Sequence, residues 1–152
     1  MGAGGEELIV LYDDDCGLCK WLLAGLLAWD RDRRLRPLAL QSPEAGELVA
    51  DLTPEQRMAS WHLIVPAGER FSAGAALPPL LAQLPGGRLP ANATARMPAL
   101  AERGYRWVAD HRAGLSRLVP AAARRRAAAH VHRREHEGRE RRQREQETRA
   151  PA

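Results

Sequence analysis

An α/β fold, a mixed sheet of about four strands flanked by helices with additional C-terminal helices, is what this 152-residue sequence predicts. Three observations point to it. Leu8-Ile9-Val10-Leu11-Tyr12 is a continuous apolar run closed by three aspartates, the pattern of a strand buried on both faces. Immediately afterwards Leu18, Trp21, Leu22, Leu26 and Trp29 recur at helical spacing, with Leu23 and Leu27 widening the apolar face. The remaining segments continue the order β-α-β-α-β-β-α. A strand-helix-strand start followed by a hairpin and a helix implies one mixed sheet with helices on its faces.

The elements follow in turn. Asp30-Arg31-Asp32-Arg33-Arg34 ends the first helix, and Leu35 to Leu40 reads as a second strand. Pro37 confines that strand to an edge, because proline cannot donate to a neighbour. Glu44 to Ala50 and Pro54 to Met58 are weaker helical pieces. Trp61 to Val65 is a third strand, joined by the turn Pro66-Ala67-Gly68-Glu69 to a short fourth strand around Arg70-Phe71-Ser72. Ala75 to Leu84 reads as a helix with Pro78 and Pro79 in its first turn, stopped by Pro85-Gly86-Gly87. A longer helical region runs from about Ala93 to Val119, with Met97, Leu100, Trp107, Val108, His111, Leu115 and Leu118 along one apolar stripe. On that stripe His111 is expected to be a satisfied core histidine. Trp21, Trp29, Trp61 and Trp107 are expected to pack in the core rather than to form a base-stacking platform.

Charge divides the chain. Of the 23 basic and 19 acidic residues, ten arginines and five glutamates lie between Arg124 and Arg149, leaving 13 basic and 14 acidic residues in Met1 to Ala123. The net charge of +4 therefore describes a tail. It does not make the folded part a nucleic-acid-binding surface, which needs cations clustered on one face. Beyond Ala129 the only apolar side chain before Ala150 is Val131, so Arg133 to Arg149 is expected to bury no face and to form a solvated helix or a disordered stretch. The expected organisation is a flexible N-terminus over 1–6, a domain over 7–122 and a charged tail over 123–152. The N-terminal segment has no basic region and its apolar run ends at Asp13, unlike a signal peptide. The stretch Leu18 to Trp29, broken by Lys20, is shorter than the roughly 20 residues a membrane span needs. A cytoplasmic protein without membrane contact is the expectation.

Chemistry concentrates at Cys16-Gly17-Leu18-Cys19, which contains both cysteines of the chain. Three residues is about one helical turn, so the two sulfurs lie close together at the start of the first helix. The sulfur of Cys16, near unpaired N–H groups and the positive end of the helix dipole, is favoured as thiolate and is the candidate nucleophile. Cys19, one turn inward, is the candidate resolving thiol. Asp13, Asp14 and Asp15 act against the dipole by repelling a thiolate, which makes Asp13 and Asp15 candidates for tuning the thiol pKa or capping the helix. No cofactor is required. Zinc would have to recruit two of His62, His111 or the tail histidines, or a second chain.

At Leu11-Tyr12-Asp13-Asp14-Asp15-Cys16-Gly17-Leu18-Cys19 the chain resembles the DCC family of predicted thiol–disulfide oxidoreductases. The resemblance extends to Leu38-Ala39-Leu40-Gln41-Ser42-Pro43, to Ser60 to Val65, to Ser72 to Leu77 and to Gly104 to Arg112, covering about residues 7 to 119. It implies a thioredoxin-like fold and disulfide reductase activity, with Cys16 and Cys19 as the redox pair. The partners implied are a disulfide-containing protein or a small-molecule disulfide as substrate, and a thiol electron donor. Thioredoxins place a cis-proline just before the third strand. No proline stands between Pro54 and Pro66 here, which argues against the thioredoxin mode of gripping substrate.

Three rival readings stand beside this one. Asp13-x-Asp15 after a buried strand resembles the nucleophile loop of magnesium-dependent haloacid-dehalogenase-type phosphatases, yet the body has one lysine and no downstream acidic pair to complete such a site. His132-Arg133-Arg134-Glu135-His136 matches the His-x-x-Glu-His pattern of a metalloprotease class, and in an Arg/Glu/His-rich tail it reads as a chance match. A redox-responsive binding module, whose dithiol switches a partner interaction without turnover, is the non-enzyme alternative.

Overall fold

A computed structural model describes residues 7–149, so the N-terminal segment 1–6 lies outside the described residues. Strand β1 (Leu8–Tyr12) leads into helix α1 (Gly17–Trp29), and β2 (Leu35–Ala39) follows. Two short helices come next, α2 (Pro43–Leu48) and α3 (Pro54–Ala59), then the hairpin of β3 (His62–Ile64) and β4 (Arg70–Ser72). A 3₁₀ turn over Ala73–Ala76 opens α4 (Leu77–Leu81), and α5 (Arg88–Arg96), α6 (Pro98–Asp110), α7 (Arg112–Leu118) and α8 (Ala121–Arg149) complete the chain. The sheet order is β2-β1-β3-β4, with β1 parallel to β2, and with the β1/β3 and β3/β4 pairs antiparallel. This is the mixed α/β architecture that the element order predicts, thioredoxin-like as the resemblance implies, with β2 at the edge.

Alternation along β1 builds two cores, because successive strand side chains point to opposite faces. Leu8, Val10 and Tyr12 meet Leu35 of β2 and Leu63 of β3, and are covered by Leu23 and Leu27 of α1, Leu80 of α4 and Val131 of α8. On the other face Leu11, Leu38 and Ile64 pack with Leu40, Ala45 and Val49, around α2. A strand apolar on both sides is thus explained by cover on both sides.

The charged C-terminal stretch departs from expectation. Helix α8 crosses the boundary drawn at residue 122 and packs along α1 and β2, burying Ala127, Val131, Arg134, Glu135 and Gly138 on one face. The surface it covers explains why so few apolar side chains suffice. Arg34 O and Leu40 N both bond to β1, so the backbone of residues 35, 37 and 39 faces outward at the sheet edge. Leu35 N–H donates to Asp30 Oδ2 at 2.9 Å, Pro37 has no N–H, and Ala39 N–H donates to Glu135 Oε1 at 3.4 Å. Arg134 donates to Asp30 Oδ2 at 2.8 Å and to the carbonyls of Leu27 and Leu35, both at 3.2 Å. Tyr12 Oη donates to Glu135 Oε2 at 2.9 Å, and Arg139 supports the other oxygen at 3.1 Å. The edge is closed by ionic side chains rather than by oil, so a count of apolar residues misses it. Gly138 allows the close approach, since a Cβ there would lie 3.2 Å from Arg36 Cγ.

The region Ala93 to Val119 also differs. It is broken into α5, α6 and α7 at Met97-Pro98 and at His111, and its supposed apolar stripe faces outward: Met97, Leu100, Trp107 and Leu118 are exposed, while Val108 and Leu115 are half-buried. His111 is exposed and stacks on Trp107 with ring centroids 4.7 Å apart. The expectation of four core tryptophans is likewise corrected: Trp21, Trp29 and Trp107 are exposed, and Trp61 is partly buried against the first core. Polar contacts anchor α6 instead. Gly74 N–H donates to Glu102 Oε2 at 3.0 Å and Trp61 N–H donates to Tyr105 Oη at 3.3 Å.

Candidate redox site

Parallel pairing of β1 and β2 decides where the site forms. Tyr12 is in register with Ala39, so Asp13-Asp14-Asp15 and Leu40-Gln41 leave the carboxyl ends of neighbouring strands side by side. Gln41 ties the two exits together. Its Oε1 accepts from Asp14 N–H at 3.2 Å, and its Nε2 donates to Asp13 Oδ1 at 2.8 Å and more weakly to Asp15 Oδ2 at 3.4 Å. Asp13 Oδ1 also accepts Asp15 N–H at 3.0 Å, and Cys16 N–H closes a turn on the Asp13 carbonyl at 3.2 Å. Asp13 therefore holds the loop that presents Cys16.

Cys16 is the N-cap of α1. Its backbone is extended, and its Sγ accepts the N–H of Cys19 at 3.2 Å, the role a serine or aspartate oxygen ordinarily plays. Asp15 does not cap the helix as expected; it stands one residue ahead of the cap, exposed. The two cysteines are joined as a disulfide, with Cα atoms 5.2 Å apart, and both are half-buried. The cap position sets the first sulfur at the helix start, where it takes the amide of Cys19, and the second sulfur belongs to the first turn itself.

The three aspartates are not equivalent. Asp14 accepts from His132 Nε2 of α8 at 2.7 Å and pairs with Lys20 Nζ at 3.4 Å, while Lys20 also donates to the Asp14 carbonyl at 2.6 Å. Burial pushes the Asp14 carboxyl up, but the His132 hydrogen bond and the Lys20 charge outweigh it and hold the group below its usual range. The negative charge at the middle aspartate is thus answered locally. Asp13 is engaged by two donors, and Asp15 faces solvent.

Asp14, Lys20, Gln41 and His132 are residues that sequence reasoning did not assign to the site. Gln41 is recoverable from the parallel β1–β2 pairing alone, since both strands end at the same side of the sheet. His132 is not, because only the docking of α8 brings it 118 residues back along the chain.

Other candidates are placed elsewhere. His62 is buried on β3, where its Nδ1 lies 2.6 Å from Ser72 Oγ and its Nε2 donates to the Arg57 carbonyl at 3.0 Å; burial lowers its pKa. The three side chains of the His-x-x-Glu-His match diverge. His132 binds Asp14, Glu135 is buried against Tyr12 and Ala39, and His136 pairs with Glu140 at 3.5 Å. Among the described residues no three His, Cys, Asp or Glu side chains cluster as metal ligands, and no helix is long and apolar enough to cross a membrane.

Comparison with known proteins matches residues 10–118 to the family model described as DCC1-like thiol-disulfide oxidoreductase. Neither the curated proteins nor the solved structures yield a match.

Proposed function

The chain belongs to the DCC1-like thiol-disulfide oxidoreductase family, and from that premise we propose that it acts as a disulfide reductase, with Cys16 as nucleophile and Cys19 as resolving thiol. The observation that carries the reading is the N-cap position of Cys16. Its Sγ sits at the start of a 13-residue helix and accepts the Cys19 N–H, a hydrogen bond that favours thiolate over thiol once the pair is reduced.

The reaction then runs in two exchanges. The Cys16 thiolate attacks one sulfur of a substrate disulfide, forming a mixed disulfide and releasing the first substrate thiolate. Cys19, one turn along, gives up its proton and attacks Cys16 Sγ, forming the Cys16–Cys19 disulfide and releasing the second thiolate. Two electrons pass from the dithiol to the substrate, and the two cysteine protons leave with the products. An external thiol donor, as two reducing equivalents, returns the disulfide to dithiol. Both exchanges take place on sulfur, so no cofactor enters. Asp13 acts as a positioning residue by holding the loop that carries Cys16, and Asp15 sits ahead of the cap as a negative charge beside it. The substrates proposed are protein or small-molecule disulfides, in a cytoplasmic setting where thiol donors are abundant.

Dithiothreitol-driven reduction of insulin tests this. The wild type should accelerate it, Cys16→Ser should reduce the rate to the uncatalysed level, and Cys19→Ser should trap substrate on Cys16 as a mixed disulfide visible by mass spectrometry. Turnover that survives Cys16→Ser would refute the assignment. A pair that cycles between oxidised and reduced forms without accelerating any exchange would favour a redox-responsive binding module instead.

A further inference from the structure

Asp15 and Gly17, the residues on either side of Cys16, line a shallow groove of about 390 Å³ together with Lys20, Arg124, Arg125 and two alanines of α8. Its size is that of a small-molecule site. Its charge is three cations to one carboxylate, and the cations differ in how far they are already satisfied. Lys20 is tied to Asp14. Arg124 and Arg125 form no ion pair among the described residues. Arg124 donates only weakly, from Nη1 to Ser116 Oγ at 3.4 Å, and its Nε is buried with no hydrogen-bond partner. A buried guanidinium N–H without an acceptor is costly, and in a native fold it calls for an explanation. The lone carboxylate of the groove, Asp15, is instead reached by Gln41.

The position of Arg124 is set by the redox turn itself. Its Cδ lies 3.3 Å from where a Cβ on Gly17 would stand, so the glycine after Cys16 leaves room for this arginine at the start of α1. Side chains of the first turns of α8 and of the start of α1 line the same space.

Resting on the reductase reading, we propose that this groove selects small disulfides bearing a carboxylate, with Arg124 as the specificity-determining group that receives it and Arg125 adding charge. A carboxylate paired with the accessible end of the Arg124 guanidinium, which has no ion pair among the described residues, orients the neighbouring S–S bond toward Cys16. The exchange is the one already written: Cys16 sulfur bonds to one substrate sulfur, the other departs as a carboxylate-bearing thiolate, and Cys19 releases the first half. Two electrons and two protons go from the dithiol to the two thiols formed.

A length-matched charge series tests it. The reduced full-length protein is mixed with 3,3′-dithiodipropionate (anionic), 2-hydroxyethyl disulfide (neutral) and cystamine (cationic). Each rate constant is divided by that of the same disulfide with dithiothreitol, which removes intrinsic reactivity. The normalised rate should favour the anionic over the neutral disulfide by about tenfold, with the cationic one slowest, and the preference should shrink at high salt. Arg124→Ala should bring the anionic-to-neutral ratio close to one, and Arg124→Lys should restore part of it. Equal normalised rates for the three disulfides, or a ratio unchanged in Arg124→Ala, would overturn the groove's role and leave the reductase reading standing. Failure to reduce any of the three while insulin is still reduced would overturn this inference alone, and failure on insulin as well would overturn the reductase reading and this inference with it.

Discussion

Replacing Arg134 by methionine removes the charge that seals the sheet edge while keeping an unbranched side chain of comparable reach. The arginine and its partner Asp30 are both buried, with side-chain exposures of 8% and 0%, and Arg134 makes three hydrogen bonds there. After the substitution Asp30 keeps two backbone donors, Arg34 N and Leu35 N, each at 2.9 Å, but loses the one ion-pair partner it has among the described residues. The carbonyls of Leu27 and Leu35 lose their Arg134 donors as well. Removing one partner of a buried pair costs about 3–5 kcal/mol, because the charge left behind remains desolvated. For a chain of this length that corresponds to a fall in Tm of roughly 6–20 °C. Urea unfolding followed by tryptophan fluorescence measures it. The exposed pair of Arg33 with Glu137 supplies the contrast, since Glu137→Ala should cost at most about 1 kcal/mol. Restoring neutrality with Asp30→Asn in the Arg134→Met background should recover part of the loss, as a double-mutant cycle would show. If Arg134→Met changes stability by less than about 1 kcal/mol, α8 is not docked through this pair and its assignment to the fold fails.

Two further outcomes follow from the packing. Gly74→Ala should destabilise the fold by on the order of 1–3 kcal/mol, because the added Cβ would lie 2.6 Å from the backbone N and Cα of Glu102 and would push α6 off the 3₁₀ turn; an unchanged urea midpoint would show that α6 is not seated there. Acid should weaken the protein through His62, whose folded pKa is lowered by burial and by the charge of Arg70, against opposing contributions from the Arg57 carbonyl and Asp51. The unfolded chain then binds protons near the usual value of 6.5 while the folded chain does not, so this stability is present above that pH and is lost as pH falls below it. His130 is shifted in the same direction and adds to the effect. In His62→Gln the fall of Tm with acid below pH 6.5 should be shallower, and superimposable pH profiles would contradict the assignment.

How much of this was legible beforehand depends on what kind of contact makes each feature. The strand Leu8–Tyr12, the helix behind it and the edge position of β2 follow from local rules: an apolar run, a helical period and one proline. So does the placement of the two cysteines on one turn at the start of α1, because three residues of spacing is about one helical turn. Apolar periodicity failed where the pattern and the burial part company. Along α6 and α7 the apolar spacing is present but the structure leaves that face uncovered. Along α8 the reverse holds, and a helix almost without apolar side chains is buried by arginine and glutamate.

The strands of the sheet, the redox pair and its helix follow from residues close in the chain. What surrounds that pair comes from the way distant elements dock. Gln41 reaches the aspartates because β1 and β2 are parallel, and His132 and Arg124 reach the redox turn because α8 closes the edge of β2. Gln41 lies 28 positions from Asp13 and His132 lies 118 from Asp14, and they meet through donors and charges whose partners no local period can reveal.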